Sequence, residues 1–452
     1  MMNTLFLPEL REMLSAHDME ELREFCTALH PARTAEFMEG LTPEEVWGVL
    51  LAADRITRSE IFNYLPEDIQ VAILETCDTK QISQLIADMP PDDRVDLIKK
   101  ADPVVVEEVL ALVPTKERRD ILRLRAYPEG TAGSLMTTEV AFLSENLTVR
   151  EALGEIGRET HDFETIYYMY IVDEEMHLRG LVSARQLVMH LGKPEMRLAD
   201  LMSRDVVTVV TTDDQETVAE KVANYNFLAI PVVDPEQRLV GIITHDDIID
   251  VLQQEATEDV LRMGAVGAMA ESYLATPWLQ LTRKRAGWLV LLFGGAFLTT
   301  FAMRSFSEHI QRYAWLAWFV PLVISTGGNS GGQSATLMIR ALTTKEITPS
   351  DWRKVIVREL IIGFLLGSCL SVIGYLVGCF MAPSHIEALV LPLTIVLVVT
   401  CGTLLGSLLP LLFEKLGFDP ALMSAPFIAG ISDVVGIVLY MSVANWLLNS
   451  GL

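Results

Sequence analysis

Asp433 is an acidic residue in the middle of a segment, 420–448, that otherwise carries no charge and is long enough to cross a bilayer. A carboxylate at the centre of a membrane helix costs about 2.5–3.5 kcal/mol on insertion scales, so something has to compensate it. No Lys or Arg stands mid-membrane to do so, which leaves a cation, a proton or water. Upstream, residues 325–334 read Ser-Thr-Gly-Gly-Asn-Ser-Gly-Gly-Gln-Ser, membrane-embedded by position yet built of glycines, hydroxyls and amides. Asn329, Gln333, Thr336 and Arg340 fall at 0, +4, +7 and +11 and so share one helical face. Gly327, Gly328, Gly331 and Gly332 sit beside them. Glycines at that depth either let helices pack closely or leave backbone carbonyls facing a water-filled cavity. Gly430 and Gly436 flank Asp433 at a spacing of three, which puts small residues beside the carboxylate. Together the two stretches read as walls of a cation pathway, with Gly328, Asn329, Gln333, Thr336, Gly430 and Gly436 lining it and Asp433 at its centre.

A second cluster precedes the membrane half. Asp246, Asp247, Asp250, Glu255, Glu258 and Asp259 crowd one helical stretch, with several pairs three or four residues apart. Like charges so spaced destabilise a helix, and a divalent cation would relieve them. A solvated acidic face is the plainer explanation of such a run. Its place at the membrane junction favours the cation.

These groups need membrane helices to hold them. Uncharged apolar runs occur at 286–303, 313–339, 360–383 and 388–413, followed by the 420–448 segment. Each reaches the ~20 residues that span a bilayer, giving five spans. Arg283, Lys284 and Arg285 precede the first, and Arg340, Lys345, Arg353, Lys354 and Arg358 lie between the second and third. The loops after the first and third are poor in basic residues, so the N-terminus is expected inside and the C-terminus outside. Charge divides the chain in the same way. Residues 281–452 hold 11 Lys and Arg against 8 Asp and Glu, whereas the first 280 hold 24 against 52. An acidic, soluble, cytoplasmic half is suited to divalent cations and ill suited to nucleic acid. The stretch 1–14 has no signal-peptide core. The five cysteines show no metal-ligand spacing, and neither a P-loop nor a nucleophile elbow is present, so an enzyme is not expected.

Within the acidic half, Leu41-Thr-Pro43, Leu65-Pro66, Met89-Pro90 and Val113-Pro114 recur every 24 residues. Each opens a helical stretch with Pro and acids at its start, the chemistry of a helix N-terminus. That reads as an α-solenoid. Two α/β units follow. The first runs from Ser134-Leu-Met-Thr137 through a helix at 148–160 and a strand at 167–172 to Gly180-Leu-Val-Ser183. The second repeats the order, from Asp200-Leu-Met-Ser203 through a helix at 217–224 and a strand at 229–233 to Gly241-Ile-Ile-Thr-His-Asp-Asp247. The doubled pattern resembles a tandem CBS-domain pair, and Gly-apolar-apolar-Thr-x-x-Asp resembles nucleotide-binding members. The resemblance implies that Thr244 and Asp247 meet the ribose of ATP or another adenine nucleotide. The first unit departs from it at Gln186.

In their order, these parts resemble the MgtE family of bacterial magnesium channels. The residues that carry the resemblance are Pro321 with Gly-Gly-Asn-Ser-Gly-Gly-Gln-Ser-Ala-Thr-Leu-Met-Ile-Arg340, Asp419-Pro420-Ala421, and Ser432-Asp433-Val-Val-Gly436. It implies a multidomain integral membrane protein: an N-terminal acidic α-solenoid (1–130), an α/β CBS pair (131–254), a connecting helix (255–280) and a five-helix transmembrane domain (281–452). It further implies a homodimer in the bacterial inner membrane that admits Mg²⁺ and is closed by intracellular Mg²⁺. Asp433 would be the selectivity carboxylate and Asp419 the cytoplasmic mouth. Asp92, Asp96, Asp247, Asp250, Glu255, Glu258 and Asp259 would bind regulatory Mg²⁺. Asn226 stands where relatives often place an acid, and Ala425 where they often place a polar residue. Two other readings remain open: a proton- or Na⁺-coupled divalent exporter, and a membrane-anchored nucleotide sensor that conducts nothing.

Overall fold

The computed structural model describes residues 6–159, 163–264, 266, 273, 276–420 and 425–449. The chain forms two compact units, Met1–Gln253 and Gln254–Leu452.

Ten short helices, α1–α10, run from Leu7 to Leu124 in the first unit. The 24-residue repeat is a pair of helices with two alternating starts. Pro66, Pro90 and Pro114 stand at the N-cap of every second helix, and Asp54, Asp78 and Asp102 cap the helices between them. Each Asp side chain accepts backbone N–H groups that the first turn would leave unpaired. The buried positions keep the same period: Ile61 and Phe62, Leu85 and Ile86, Val109 and Leu110. A helix pair of this size cannot bury its own apolar face, and stacking supplies the missing partner.

The CBS pair holds two three-stranded sheets. In chain order the first repeat is α11 (Ala132–Leu135), β1 (Val140–Ser144), α12 (Val149–Glu159), β2 (Thr165–Val172), β3 (Leu178–Ser183) and α13 (Ala184–Met189). The second is α14 (Leu198–Leu201), β4 (Val209–Val210), α15 (Gln215–Tyr225), β5 (Ala229–Val233) and β6 (Leu239–Thr244). In space α11 packs on β4, β6 and α15 of the second repeat, and α14 on β3 of the first. In each sheet the first pairing is parallel and the second antiparallel. The two Leu-Met segments cross over. Thr137 exchanges backbone hydrogen bonds with Ile242 of the second α/β repeat, and Ser203 with Leu181 of the first. That crossing explains the glycine opening each Gly-apolar-apolar motif. A Cβ at Gly241 would lie 2.7 Å from Thr137 O, and one at Gly180 2.9 Å from Ser203 O.

From β6 the chain passes straight into α16 (His245–Met263), which starts ten residues before the connecting helix expected at 255–280. Most of 265–275 lies outside the described residues. The second unit then contains α17 (Trp278–Ser305), α18 (Ser307–Arg312), α19 (Leu316–Thr343), α20 (Trp352–Met381), α21 (Val390–Lys415) and α22 (Ala425–Asn449). Of the five expected spans, four are long and apolar enough to cross a membrane among the described residues. The exception is α19. It has 28 residues, but its glycines, hydroxyls and amides dilute its apolarity. These same residues let it pack at close quarters: a Cβ at Gly406 of α21 would run into the Gly331 carbonyl oxygen. Only a glycine fits there. At the other end of α19, the Tyr440 hydroxyl of α22 donates to Leu316 O at 3.0 Å. No side chain of α17 is buried, and its apolar surface faces outward as a lipid-facing helix does.

Candidate ion path

Ser325, Asn329, Gln333 and Thr336 are exposed along one face of α19, whereas Ser330 and Ser334 on the opposite face are buried. The exposed face borders an open cleft of about 870 Å³, whose other wall is α22, presenting Ala425, Ala429 and Asp433. On both helices the lining residues follow i, i+4 rows, the ridge spacing of packed helices. Gly328 lies at the base. A methyl group there would meet the Ala429 Cβ at 3.3 Å and Asp433 Oδ1 at 3.7 Å, so the carboxylate rests against bare backbone. Asn329 Nδ2 donates to Ser325 Oγ at 3.3 Å, which turns its amide oxygen free of that bond. The Thr336 hydroxyl donates to Gly332 O at 3.0 Å. The cleft thus offers carboxylate, amide and hydroxyl oxygens with no thiol or imidazole, a donor set for a hard, hydrated cation.

Asp433, Gly328, Asn329, Gln333 and Thr336 are brought together as expected from their spacing. Gly430 and Gly436 are not. Gly436 is buried, with its missing Cβ aimed at Val398 and Val323, and Gly430 stays off the cleft. A step of three residues rotates 300° around a helix, so both glycines fall on the flanks of Asp433. The i−4 neighbour Ala429 lines the cleft instead. Ser325, Gly332 and Ala429 also line it and are absent from the lining read off the sequence, although the same i, i+4 rule points to each; Ala425, singled out from the resemblance, lines it as well.

The regulatory candidates fall into two groups. In the first unit, Asp92 and Asp93 open α8 (Pro91–Lys100), Asp246, Asp247 and Asp250 open α16, and Glu164 precedes β2. Asp92 is half-buried with Oδ1 shielded from solvent, and desolvation, then Asp247, Asp93 and Glu164, push its carboxyl well above the usual range. Asp93 is pushed up to about 6 by desolvation and then by Asp247, Asp96, Asp246 and Asp250. Glu164 reaches about 7 through desolvation, Glu139, Asp247, Asp93 and Asp246. Asp247 rises to about 6 through desolvation, partly opposed by the Thr244 hydroxyl. Asp96 sits one turn along α8, 3.6 Å from Lys99. Asp246 belongs to the acidic run already read from the sequence; Asp93, Glu139 and Glu164 join the group, though no sequence spacing points to their meeting.

In the second unit, Arg262 of α16 donates to both Glu258 and Asp419. Asp259 lies beside them, its carboxyl raised by burial and then by Asp419. Glu255 adds to the same field. Among the described residues no three acidic, His or Cys side chains converge closely enough to hold a bare ion. The acids are gathered at charge–charge distances, which suits an ion that keeps its waters.

Thr244 and Asp247 do meet, but in a bond to each other: the Thr244 hydroxyl donates to Asp247 Oδ2 at 2.5 Å, and Thr244 is buried. A half-open cavity of about 190 Å³ between the two α/β repeats is lined elsewhere, by Tyr168, Ser203, Asp205, Phe227 and Pro231 among others. Asn226 closes α15 in the left-handed conformation (φ 53°), which asparagine adopts more readily than most residues.

Three families match successive parts of the chain: the MgtE intracellular N domain at residues 29–130, the CBS domain at 132–193 and 198–254, and a divalent cation transporter family, MgtE, at 320–443. The magnesium transporter MgtE of Thermus thermophilus is 43% identical over 330 residues, 72% of each chain. That of Enterococcus faecalis is 35% identical over 72% of this chain and 71% of its own. The crystal structure of the cytosolic domain of the Mg²⁺ channel MgtE in complex with ATP superposes with a TM-score of 0.51 at 36% identity, covering 54% of this chain and 98% of that one.

Proposed function

The chain belongs to the MgtE family of divalent cation transporters, and from that premise we propose that it conducts Mg²⁺ into the bacterial cytoplasm and is closed by the Mg²⁺ that accumulates there. The observation that carries this reading is the cleft in which Asp433, lying against Gly328, faces a row of amide and hydroxyl oxygens. Mg²⁺ holds its waters tightly and prefers six oxygens at about 2.0–2.1 Å. A path that passes it quickly recognises the hydrated ion. One chain supplies one side of the path, built from α19 and α22; in a homodimer a second Asp433 would face the first, and two carboxylates match a divalent charge. At equal distance K⁺ gains about half the Coulomb energy of Mg²⁺. α19 would be the fifth span, with the N-terminal unit cytoplasmic and the inner membrane as the location.

Closure follows from the acidic groups. Without Mg²⁺ the carboxylates around Asp92, Asp96, Asp247 and Asp250, and those around Glu255, Glu258 and Asp259, repel. Bound Mg²⁺ favours whichever conformation draws them together, and feedback requires only that this be the closed one. An adenine nucleotide, ATP in the solved relative, fits best in the CBS cavity, where Phe227 and Tyr168 offer aromatic surface beside Ser203 and Asp205.

The test is Mg²⁺ uptake by liposomes containing the full chain and its Asp433→Ala variant. Uptake driven by membrane potential and abolished by the substitution is the expected result. Unchanged uptake in the variant would remove Asp433 from the path, and flux that follows a proton gradient would favour coupled export.

A further inference from the structure

We propose that Glu359 is a positioning residue for the ion path: through Ser334 it fixes the rotation of α19 about its own axis and so aims Asn329, Gln333 and Thr336 into the cleft. The inference rests on the reading of that cleft as the path. Ser334 follows Gln333 directly and is buried on the back of α19. Its hydroxyl donates to Glu359 Oε2 of α20 at 3.0 Å. The backbone carbonyl of Glu359 accepts from Thr403 Oγ1 of α21 at 3.3 Å. One residue therefore ties three helices.

α19 needs such a tie at its middle because between its larger buried side chains, Val323 and Met338, the packing surface is made of small residues only: Gly327, Gly328, Ser330, Gly331, Ser334 and Ala335. Where Gly331 meets Gly406, backbone lies against backbone with no side chain to key into a groove. Side-chain ridges are what set the rotation and register of packed helices, and glycine faces have none. A hydroxyl held on the back of the helix replaces them. Successive residues are about 100° apart, so drawing Ser334 towards α20 leaves Gln333 and Thr336 on the cleft side. Glu359 stands in the third turn of α20, at the edge of its apolar run, and is half-buried there.

The experiment uses the full chain in liposomes with Cys26, Cys77, Cys369, Cys379 and Cys401 replaced by Ser or Ala, and Thr336→Cys as a reporter. A charged, water-soluble thiol reagent reads whether position 336 faces the cleft. Glu359→Leu and Ser334→Ala are each expected to slow labelling several-fold. Glu359→Gln keeps an acceptor oxygen without the charge and should label at the parental rate. Unchanged labelling in Ser334→Ala overturns the proposal, as does a Glu359→Gln variant that behaves like Glu359→Leu, since charge and not position would then matter. Should Glu359→Leu fail to assemble, Ser334→Ala removes one oxygen only and decides the question. Mg²⁺ flux is recorded alongside in the cysteine-free protein that keeps Thr336: if that protein passes no Mg²⁺ the channel reading is defeated, while the labelling pattern independently decides the role of Glu359.

Discussion

Asp433 on α22 rests against Gly328 on α19, its Oδ1 placed 3.7 Å from where a methyl group on that glycine would stand. The charged group most expensive to keep in the membrane is set beside the residue with least to fill the space around it. That pairing leaves room for an ion with its water shell.

Filling that room should therefore cost conduction before it costs stability. Gly328→Ala puts a methyl 3.3 Å from the Ala429 Cβ, a tight contact. Overpacking of this kind runs to about 1–3 kcal/mol, and the small Ala429 neighbour beside the cleft should keep Ala at the lower end. Gly328→Leu would in addition project into the cleft. Mg²⁺ uptake by liposomes should fall moderately in the first variant and nearly vanish in the second, with both still inserting as folded protein. Wild-type uptake in Gly328→Leu would place the ion elsewhere.

The acidic group of the first unit predicts a pH dependence that Mg²⁺ removes. Asp93 and Asp247 are pushed up to about 6, and Glu164 to about 7. Their folded values lie above the unfolded ones, so the folded state holds more protons. The stability they contribute is complete below about pH 4 and is lost as pH rises through 6 to 7. Facing these groups are Asp92, Asp96, Asp246, Asp250 and Glu139. In chelator, thermal unfolding of the N-terminal unit should come at a lower temperature at pH 8 than at pH 5.5. Mg²⁺ at a hundred times its Kd should restore about 2.7 kcal/mol. Asp247→Asn should flatten the pH slope; a slope that survives it would move the effect to other groups.

The solenoid offers a plainer test. Asp78 caps α7 (Thr79–Asp88) by accepting from Gln81 N. Asp78→Ala removes that cap and should cost about 1 kcal/mol, read by denaturant titration. Gly at the same position should cost only a few tenths.

Much of this molecule is legible in its sequence because its signals are local. The prolines that open every second helix, the doubled CBS pattern and the 0, +4, +7 stripe of Asn329, Gln333 and Thr336 need only a period to be seen. The Asp caps share the 24-residue period, but an aspartate in an acidic chain does not stand out as a proline does. Gly430 and Gly436 mislead because a place near Asp433 in sequence is not a place on its face. The partnership of Asp93 and Glu164 with Asp247 joins α8, the lead-in to β2 and α16. No spacing rule reaches across that much chain. Glu359 is hidden for another reason: it sits at the edge of an apolar run, where a charge reads as a helix flank.

Phe227 and Thr244 separate two places for a nucleotide. Thr244 is buried and donates to Asp247, whereas Phe227 lines the open cavity with Tyr168 and stacks on Tyr225 at 5.3 Å. Stacking of a base on an aromatic ring is worth about 1–3 kcal/mol. Phe227→Ala should therefore weaken ATP binding by calorimetry about tenfold or more, each 1.4 kcal/mol being a factor of ten. Thr244→Val should leave ATP binding near the parental value while disturbing Asp247 and the Mg²⁺ dependence of unfolding. The reverse outcome would return the nucleotide to the Thr-x-x-Asp motif.

Arg262 gives the sharpest prediction about gating. Its guanidinium donates to Glu258 and to Asp419, so one fixed positive charge occupies a place that a cation would otherwise take. Asp259 stands next to it under the field of Asp419. Arg262→Gln keeps a hydrogen-bond donor and removes the charge. Three carboxylates then lose their nearest counter-charge, and the local attraction for Mg²⁺ rises. The pair with Glu258 alone, at i, i+4, is worth only about 0.3–0.5 kcal/mol, so the fold should not depend on it. Flux in patches should close at a several-fold lower internal Mg²⁺ in Arg262→Gln than in the parent, and Asp419→Asn in the same background should cancel that shift. If the closing concentration instead rises, Arg262 holds the mouth shut as a salt bridge and does not compete with Mg²⁺ for it.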